Sequence, residues 1–372
     1  MYITILFLFT YFSFADVFEG ISKRNLSICW IICFMLLVFQ DGLRWETGTD
    51  WIPYSTYFDR CLELTDDKFE WGYASLSKLI RLFTSEYTVF LVAYALILYS
   101  LVFKCIKRHA INPFLSLFLY YCMTLPILGM NRQFLALGIC LYSIRYIIEK
   151  RFFYFVACIG VAMLFHLSAI MFFIVYFFRK SFDVRIYIIL LLIALGISFS
   201  GIVNLLPLDL FLVISSDTAD RMESYAEGFI SGNVVVNPLF VLLSLSKRLL
   251  WIVIIILYVY TKKKEDRTFA VLFNTYVFSL LFYIIFNNTI LQIIVSRGLL
   301  FFNITEIFII PYALLAFKNN GGKKILFLLL ILFGIANLKK GIDAYAAPGE
   351  TTDLFVPYKG IFINTDYVRR NL

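Results

Sequence analysis

Long apolar runs and short polar breaks alternate along the chain. The apolar runs cover roughly 1–18, 26–43, 87–103, 112–129, 132–148, 152–164, 167–178, 184–206, 238–260, 269–290, 298–317 and 323–338. They show no sustained period-two alternation. An α-helix needs about 20 apolar residues to cross a hydrocarbon core of roughly 30 Å, and most of these runs approach that length. A chain in lipid must satisfy its backbone internally, so it forms helices or a closed barrel. Runs of this kind predict helices. The expected fold class is all-α, a polytopic integral membrane protein of about 11–12 transmembrane or re-entrant helices. The expected organisation is a single polytopic membrane domain over 1–372. Its long extracytoplasmic loops are placed at about 41–86 and 207–237, with an extracytoplasmic tail at about 339–372.

The charges in the breaks orient these helices. Lys and Arg concentrate in alternate short loops: Lys23 and Arg24; Lys104, Lys107 and Arg108; Lys150 and Arg151; Arg179, Lys180 and Arg185; Lys262, Lys263, Lys264 and Arg267; Lys318, Lys323 and Lys324. The positive-inside rule assigns these loops to the cytoplasm and the rest to the outside. The 207–237 loop is acid-rich, with Asp209, Asp217, Asp220, Glu223 and Glu227 against Arg221. The stretch 152–178 is flanked by basic residues at both ends, so a simple zigzag does not fit it. Two halves of about 13 residues would each rise only roughly 20 Å. This predicts a re-entrant hairpin that turns near His166 and Ser168, a backbone tolerated only beside protein or a wet cavity. Both termini then face outward. Within 41–86, Leu76, Leu79, Ile80 and Phe83 share one helical face, with Lys78 and Arg81 opposite, which predicts a helix on the outer membrane surface.

Composition sharpens this picture. Hydrophobic residues make up 61% of the chain and charged residues 16%, against roughly a quarter charged in soluble domains. The net charge of +8 is scattered between apolar runs, so no nucleic-acid partner is expected. The seven cysteines lie mostly inside apolar runs without a CxxC pair, so neither a disulfide framework nor a metal site is expected. The opening "MYITILFLFTYFSF" lacks a basic n-region and a small-residue cleavage site, and reads as a retained helix. GxxxxGK[ST], GxGxxG, HExxH and GxSxG motifs are absent, so ATP hydrolysis, nicotinamide chemistry and zinc or serine hydrolysis have no support. No cofactor is expected.

Polar residues at or within the membrane are the candidates for chemistry. Arg44, Arg132, Arg221 and Arg297 stand at outward helix ends. Each arginine alone is compatible with snorkelling or pairing with an acid. Four on one side point to an anionic ligand, because the guanidinium keeps its charge and grips phosphate with a two-pronged fork. In "SKRLLWIVIIILYVYTKKK", Lys247 and Arg248 lie about 14 residues, roughly 20 Å, from the cytoplasmic lysines. Either the helix starts at 249 and the pair marks its outer end, or the pair faces a cavity inside the membrane. Arg132 and Gln133 open a helix, where the dipole also favours anions. A lone histidine is more often a satisfied core residue. His166, however, sits beside Ser168 at a predicted helix break, where a neutral imidazole can accept a proton. In "DGLRWETGTDW", Gly48 is expected to permit a tight turn that brings Asp50 back near Arg44, with Glu46 facing solvent.

These elements resemble a known family. "LRWETGTDWIPY" resembles the early Arg, Gly-Thr-Asp and Tyr motif of EpsG-like proteins of the Wzy polysaccharide-polymerase group. "NRQFLALGICLYSIRYI" resembles their Arg-Gln motif and "AMLFHLSAIMFFIVYFF" their His-x-Ser-Ala element. "RMESYAEG" resembles their outer-loop Arg and Tyr, "SRGLLFFNITEIFIIPYAL" their late Arg-bearing helix, and "FVPYKGIF" their tail. The order holds over nearly the whole chain. The resemblance places Arg44, Gly48, Thr49, Asp50, Arg132, Gln133, His166, Ser168, Arg221 and Arg297 at the family's marked positions. Lys247 and Arg248 come from depth alone.

The resemblance implies a glycosyltransferase that joins undecaprenyl-pyrophosphate-linked oligosaccharide repeat units, without metal or nucleotide. It would act at the outer face of the bacterial cytoplasmic (inner) membrane, on a lipid-linked donor and a lipid-linked acceptor, with membrane lipids and a chain-length regulator protein as further partners. The expected catalytic residues are His166 and Asp50. The expected pyrophosphate and sugar contacts are Arg44, Arg132, Gln133, Arg221, Lys247, Arg248, Arg297 and Ser168, with Gly48 and Thr49 shaping a turn. A flippase for lipid-linked oligosaccharide and an O-antigen ligase-like transferase are the alternatives.

Overall fold

The computed structural model describes residues 1–19, 22–205, 238–287, 289, 292–345 and 354–369. The expected loop 207–237, with Arg221, lies outside the described residues. Among the described residues the fold is all-α, broken only by isolated bridges such as Arg44 to Gly360. The helices are α1 (Tyr2–Phe14), α2 (Lys23–Gly42), α3 (Trp51–Arg60), α4 (Trp71–Arg81), α5 (Tyr87–His109), α6 (Pro113–Thr124), α7 (Asn131–Ile148), α8 (Phe152–Met163), α9 (Val184–Ser200), α10 (Pro238–Ile255), α11 (Arg267–Phe286), α12 (Gln292–Asn303) and α13 (Asn320–Asp343), with shorter pieces between them. Among the described residues, five helices are long and apolar enough to cross a membrane.

Local chemistry sets many of the starts. Ser22, Asp183, Asp266 and Asn319 cap α2, α9, α11 and α13, each accepting a backbone N–H in the first turn. Pro113 opens α6 at the position where a missing N–H costs nothing. The exposed faces are apolar, as lipid requires. On α2, Ile28, Ile31, Ile32, Met35 and Phe39 are exposed while Trp30, Cys33, Leu37 and Val38 are buried. The chain is a multi-pass membrane protein.

The chain packs as two compact units. The first comprises Met1–Arg145, Val156–His166 and Phe317–Leu372; the second comprises Tyr146–Phe155 and Leu167–Ala316. In the first, α2 packs on α5, and α6 packs on α1 and α13. Small residues allow close approach, as where Gly42 meets Val92. In the second, α11 packs on α9 and α12.

Two local expectations change, and the expected break near His166 is present. The first outer loop holds two helices, α3 as well as α4. On α4, Leu79 and Phe83 at its end are exposed, while Tyr73, Ala74 and Ser77 are buried, so the apolar outer face is retained. The apolar run near 298–317 is one of the five candidate spans but not one regular α-helix: α12 ends at Asn303, and short pieces cover Glu306–Ile309 and Ile310–Ala316. The stretch 152–178 breaks at 164–166, between α8 and a 3-10 run at Leu167–Phe177. Within the second unit, the rings of Phe152 and Phe155 pack on Tyr176 with centroids 4.9 and 5.4 Å apart, so the first residues of α8 lie against the end of the 3-10 run.

Candidate functional site

The loop after α2 is built around a buried guanidinium. Arg44 is 1% exposed. Its Nε donates to Asp41 at 2.8 Å, its Nη1 to the Thr47 carbonyl at 2.7 Å, and its Nη2 to Asn131 at 2.9 Å. Its guanidinium also lies over Trp51, 5.3 Å from the ring centroid. The expected partner, Asp50, is replaced by Asp41, one helical turn earlier, which needs no loop reversal. Arg44 therefore holds the fold together, and no face of it is open to a phosphate. Asp50 instead sits at the position before α3, with φ of 52°, and is exposed.

Two glycines let this loop meet the turn before α7. Thr49 N–H donates to the Leu128 carbonyl at 2.7 Å. A Cβ on Gly48 would lie 2.3 Å from that same oxygen, and a Cβ on Gly129 2.0 Å from the Thr49 oxygen. Their φ values, 100° and 113°, also suit glycine. Gly48 thus permits a close backbone crossing.

The described tail, 354–369, clamps the same loop. Gly48 N–H donates to Leu354, Trp45 N–H to Lys359 and Ile361 N–H to Leu43. Thr47 Oγ accepts from Arg369 at 2.7 Å. Glu46, expected in solvent, pairs with Lys359 at 2.5 Å, across 313 positions of chain.

Beside this frame lies an accessible cluster. Arg132, at the start of α7, donates from Nη1 to Glu70 at 2.5 Å and from Nε to the Tyr54 hydroxyl at 3.2 Å. Its guanidinium lies 4.4 Å from the Phe69 ring centroid, and its side chain stays 22% exposed. Burial pushes the Tyr54 phenol above its ordinary value, with Arg132 opposing the shift and Asp50 adding to it, so both charges act on this hydroxyl. Gln133, next on α7, is buried. The helix break bearing His166 reaches the same region through backbone: Gly72 N–H donates to the Leu164 carbonyl at 2.7 Å, and a Cβ at Gly72 would lie 2.8 Å from that oxygen. Asp50, Arg132, Gln133 and His166 thus belong to the first unit.

Ser168, Lys247, Arg248 and Arg297 belong to the second. Ser168 is in the 3-10 run. Lys247 and Arg248 lie inside α10, which starts at Pro238, so they do not mark the outer end of a helix beginning at 249. Lys247 pairs with Glu306 at 3.3 Å, and Arg248, 8% exposed, lies 4.4 Å from the Tyr283 ring centroid. Arg297 falls on α12.

Sequence reasoning missed Glu70, Asn131, Lys359 and Glu306. Glu306 was the most accessible to it: a carboxylate inside "FFNITEIFIIPYAL", buried to 5% exposure, is costly in a membrane unless it has a partner. The missed helix α3 had a signal too, since Trp51, Tyr54 and Phe58 fall at helical spacing and all are buried.

No curated protein and no solved structure matches this chain. A family profile does, over residues 27–359, from within α2 into the clamping tail. The chain therefore belongs to the EpsG family, a Wzy-like family of membrane polysaccharide polymerases.

Proposed function

We propose that this protein joins lipid-linked oligosaccharide repeat units at the outer face of the bacterial cytoplasmic membrane. The donor's anomeric carbon leaves its undecaprenyl pyrophosphate and bonds to a sugar hydroxyl of the acceptor. The hydroxyl proton passes to a base, and the pyrophosphate departs with the bonding electrons. The linkage to pyrophosphate supplies the driving force, so no nucleotide is consumed.

The observation that carries this reading is the Arg132 cluster. Its guanidinium is anchored to Glu70 and Tyr54 yet retains an exposed side, beside the exposed carboxylate Asp50. A preorganised guanidinium suits charge developing on a leaving phosphate. His166 is the proposed base, and Asp50 orients the sugar or serves as a second base. Arg221, Lys247, Arg248 and Arg297 are the further proposed pyrophosphate contacts, with Ser168 and Gln133 offering hydrogen bonds. Arg44 and Thr49, with the Gly48 crossing, are assigned to holding the mouth in shape. A chain-length regulator is the proposed protein partner.

The test is purified protein supplied with one lipid-linked repeat unit, reading the product ladder. Chain lengthening in detergent, abolished by His166→Ala and by Arg132→Ala in folded variants, supports the proposal. A flippase would instead move substrate across sealed vesicles and make no ladder.

A further inference from the structure

The second unit contains a basic concavity that the proposed chemistry does not use. It lies between the segment joining the 3-10 run to α9 and the turn before α11, with a volume of about 620 Å³. Arg179, Lys180, Lys264 and Arg267 line it, against Asp183 and Glu265. Short loops with scattered lysines suffice to orient a membrane protein, and orientation requires no particular shape. This loop has one.

Asn274 donates to the carbonyls of Phe178 at 3.0 Å and Lys180 at 2.8 Å, and accepts from the Tyr187 hydroxyl at 2.5 Å. The Tyr260 hydroxyl donates to the Phe182 carbonyl, and Ser181 Oγ donates to the Lys264 carbonyl at 2.8 Å. Asn274, Tyr187 and Tyr260 are all buried. A satisfied buried polar network rigidifies what it touches. Here it ties the two basic segments to each other.

The surroundings select the occupant. The concavity opens where α11, a candidate span, begins, so it stands at the level where hydrocarbon gives way to headgroups. Phe182 in its wall is exposed, and so are Ile186, Ile189, Leu190 and Ile193 along α9. An apolar surface thus continues from the basic pocket along a membrane helix. Free phosphate would need no such surface. A phospholipid needs both parts, since basic pockets between membrane helices hold anionic headgroups.

We propose that this concavity binds one anionic phospholipid, with the headgroup phosphate between Lys180 and Lys264 and the acyl chains along α9. The test uses the full chain purified from membranes containing phosphatidylglycerol and phosphatidylcholine, with retained lipid counted by native mass spectrometry. The wild type is expected to retain phosphatidylglycerol selectively. Lys180→Gln with Lys264→Gln alters exposed side chains and leaves the backbone lock intact. This pair is expected to lower retention roughly ten-fold. Lys323→Gln with Lys324→Gln, a basic pair in the first unit, is expected to retain it. Equal retention by the Lys180/Lys264 variant overturns the proposal, as does equal loss in the Lys323/Lys324 control, which would mean diffuse charge. Thermal stabilisation by millimolar inorganic phosphate equal to that by lipid also overturns it, in favour of a free-anion site. Polymer formation is not read, so failure here is separate from failure of the polymerase assignment.

Discussion

Arg44 donates to Asn131 at 2.9 Å across 87 positions of chain, joining the loop after α2 to the first turn of α7. Both residues are buried, at 1% and 0% exposure. Asp41 balances the charge and Tyr99 donates to Asp41 at 3.3 Å, so the arginine is one member of a satisfied buried network. Removing one partner of a buried ion pair costs about 3–5 kcal/mol, because the other charge is stranded. Arg44→Ala is expected to lose that much stability. Arg44→Lys is expected to fail as well, since one ammonium cannot reproduce the three-way fork. Thermal unfolding in detergent checks both, and a wild-type midpoint for Arg44→Lys would refute the scaffold role.

Gly48→Ala and Gly129→Ala should each prevent accumulation of folded protein. Each Cβ would be driven into a carbonyl oxygen on the opposite segment, at a backbone angle that L side chains avoid. Gly201→Ala is the comparison: its φ is 65°, but its Cβ meets nothing within 4 Å. It should cost only about 1 kcal/mol in backbone strain. Size-exclusion profiles of the three variants rank them.

At the Arg132 cluster, geometry and charge should separate. Arg132→Lys keeps the charge but loses the fork shared between Glu70 and Tyr54. Polymerisation is expected to fall roughly hundred-fold, the scale of losing one preorganised donor. Glu70→Gln keeps the shape and releases the guanidinium, so it should change KM more than kcat. A Lys variant as active as wild type would reduce Arg132 to charge balance.

Lys247 and Glu306 make a prediction about pairing. Glu306→Gln alone leaves Lys247 without its counter-ion and should lower folded yield. Lys247→Met with Glu306→Leu removes both charges and should restore yield, as apolar replacement of buried pairs commonly does. If Lys247 contacts pyrophosphate, the double variant stays inactive while folded. Restored polymer synthesis would show that the pair is structural only.

The α3–α4 connection should respond to acid. The Lys78 ammonium and the Tyr57 hydroxyl both donate to Asp67, at 2.8 and 2.6 Å, holding its carboxyl below the ordinary value of 3.8. A depressed folded value means the stabilisation is present above the unfolded value and lost as pH falls through the folded one. Proteolytic nicking of residues 61–70 should therefore rise below about pH 4. Asp67→Asn should nick readily at neutral pH and lose this acid dependence. The pair is partly exposed, so the effect should be local.

The sequence by itself determined most of the membrane helices and their order. Lipid imposes a length and an apolar character on every span, and both are written locally along the chain. The run expected at 87–103 became α5, the one at 323–338 became α13, and the break expected near His166 appeared at 164–166. Capping residues such as Asp266 lie beside the turns they cap, so they too can be read in one dimension. Tertiary structure alone decided which polar group meets which. Nothing local points Arg44 to Asn131, Glu46 to Lys359 or Lys247 to Glu306. Those contacts join segments far apart in the chain, and packing shields their polar groups from part of the water, so each takes the partner the fold brings within reach.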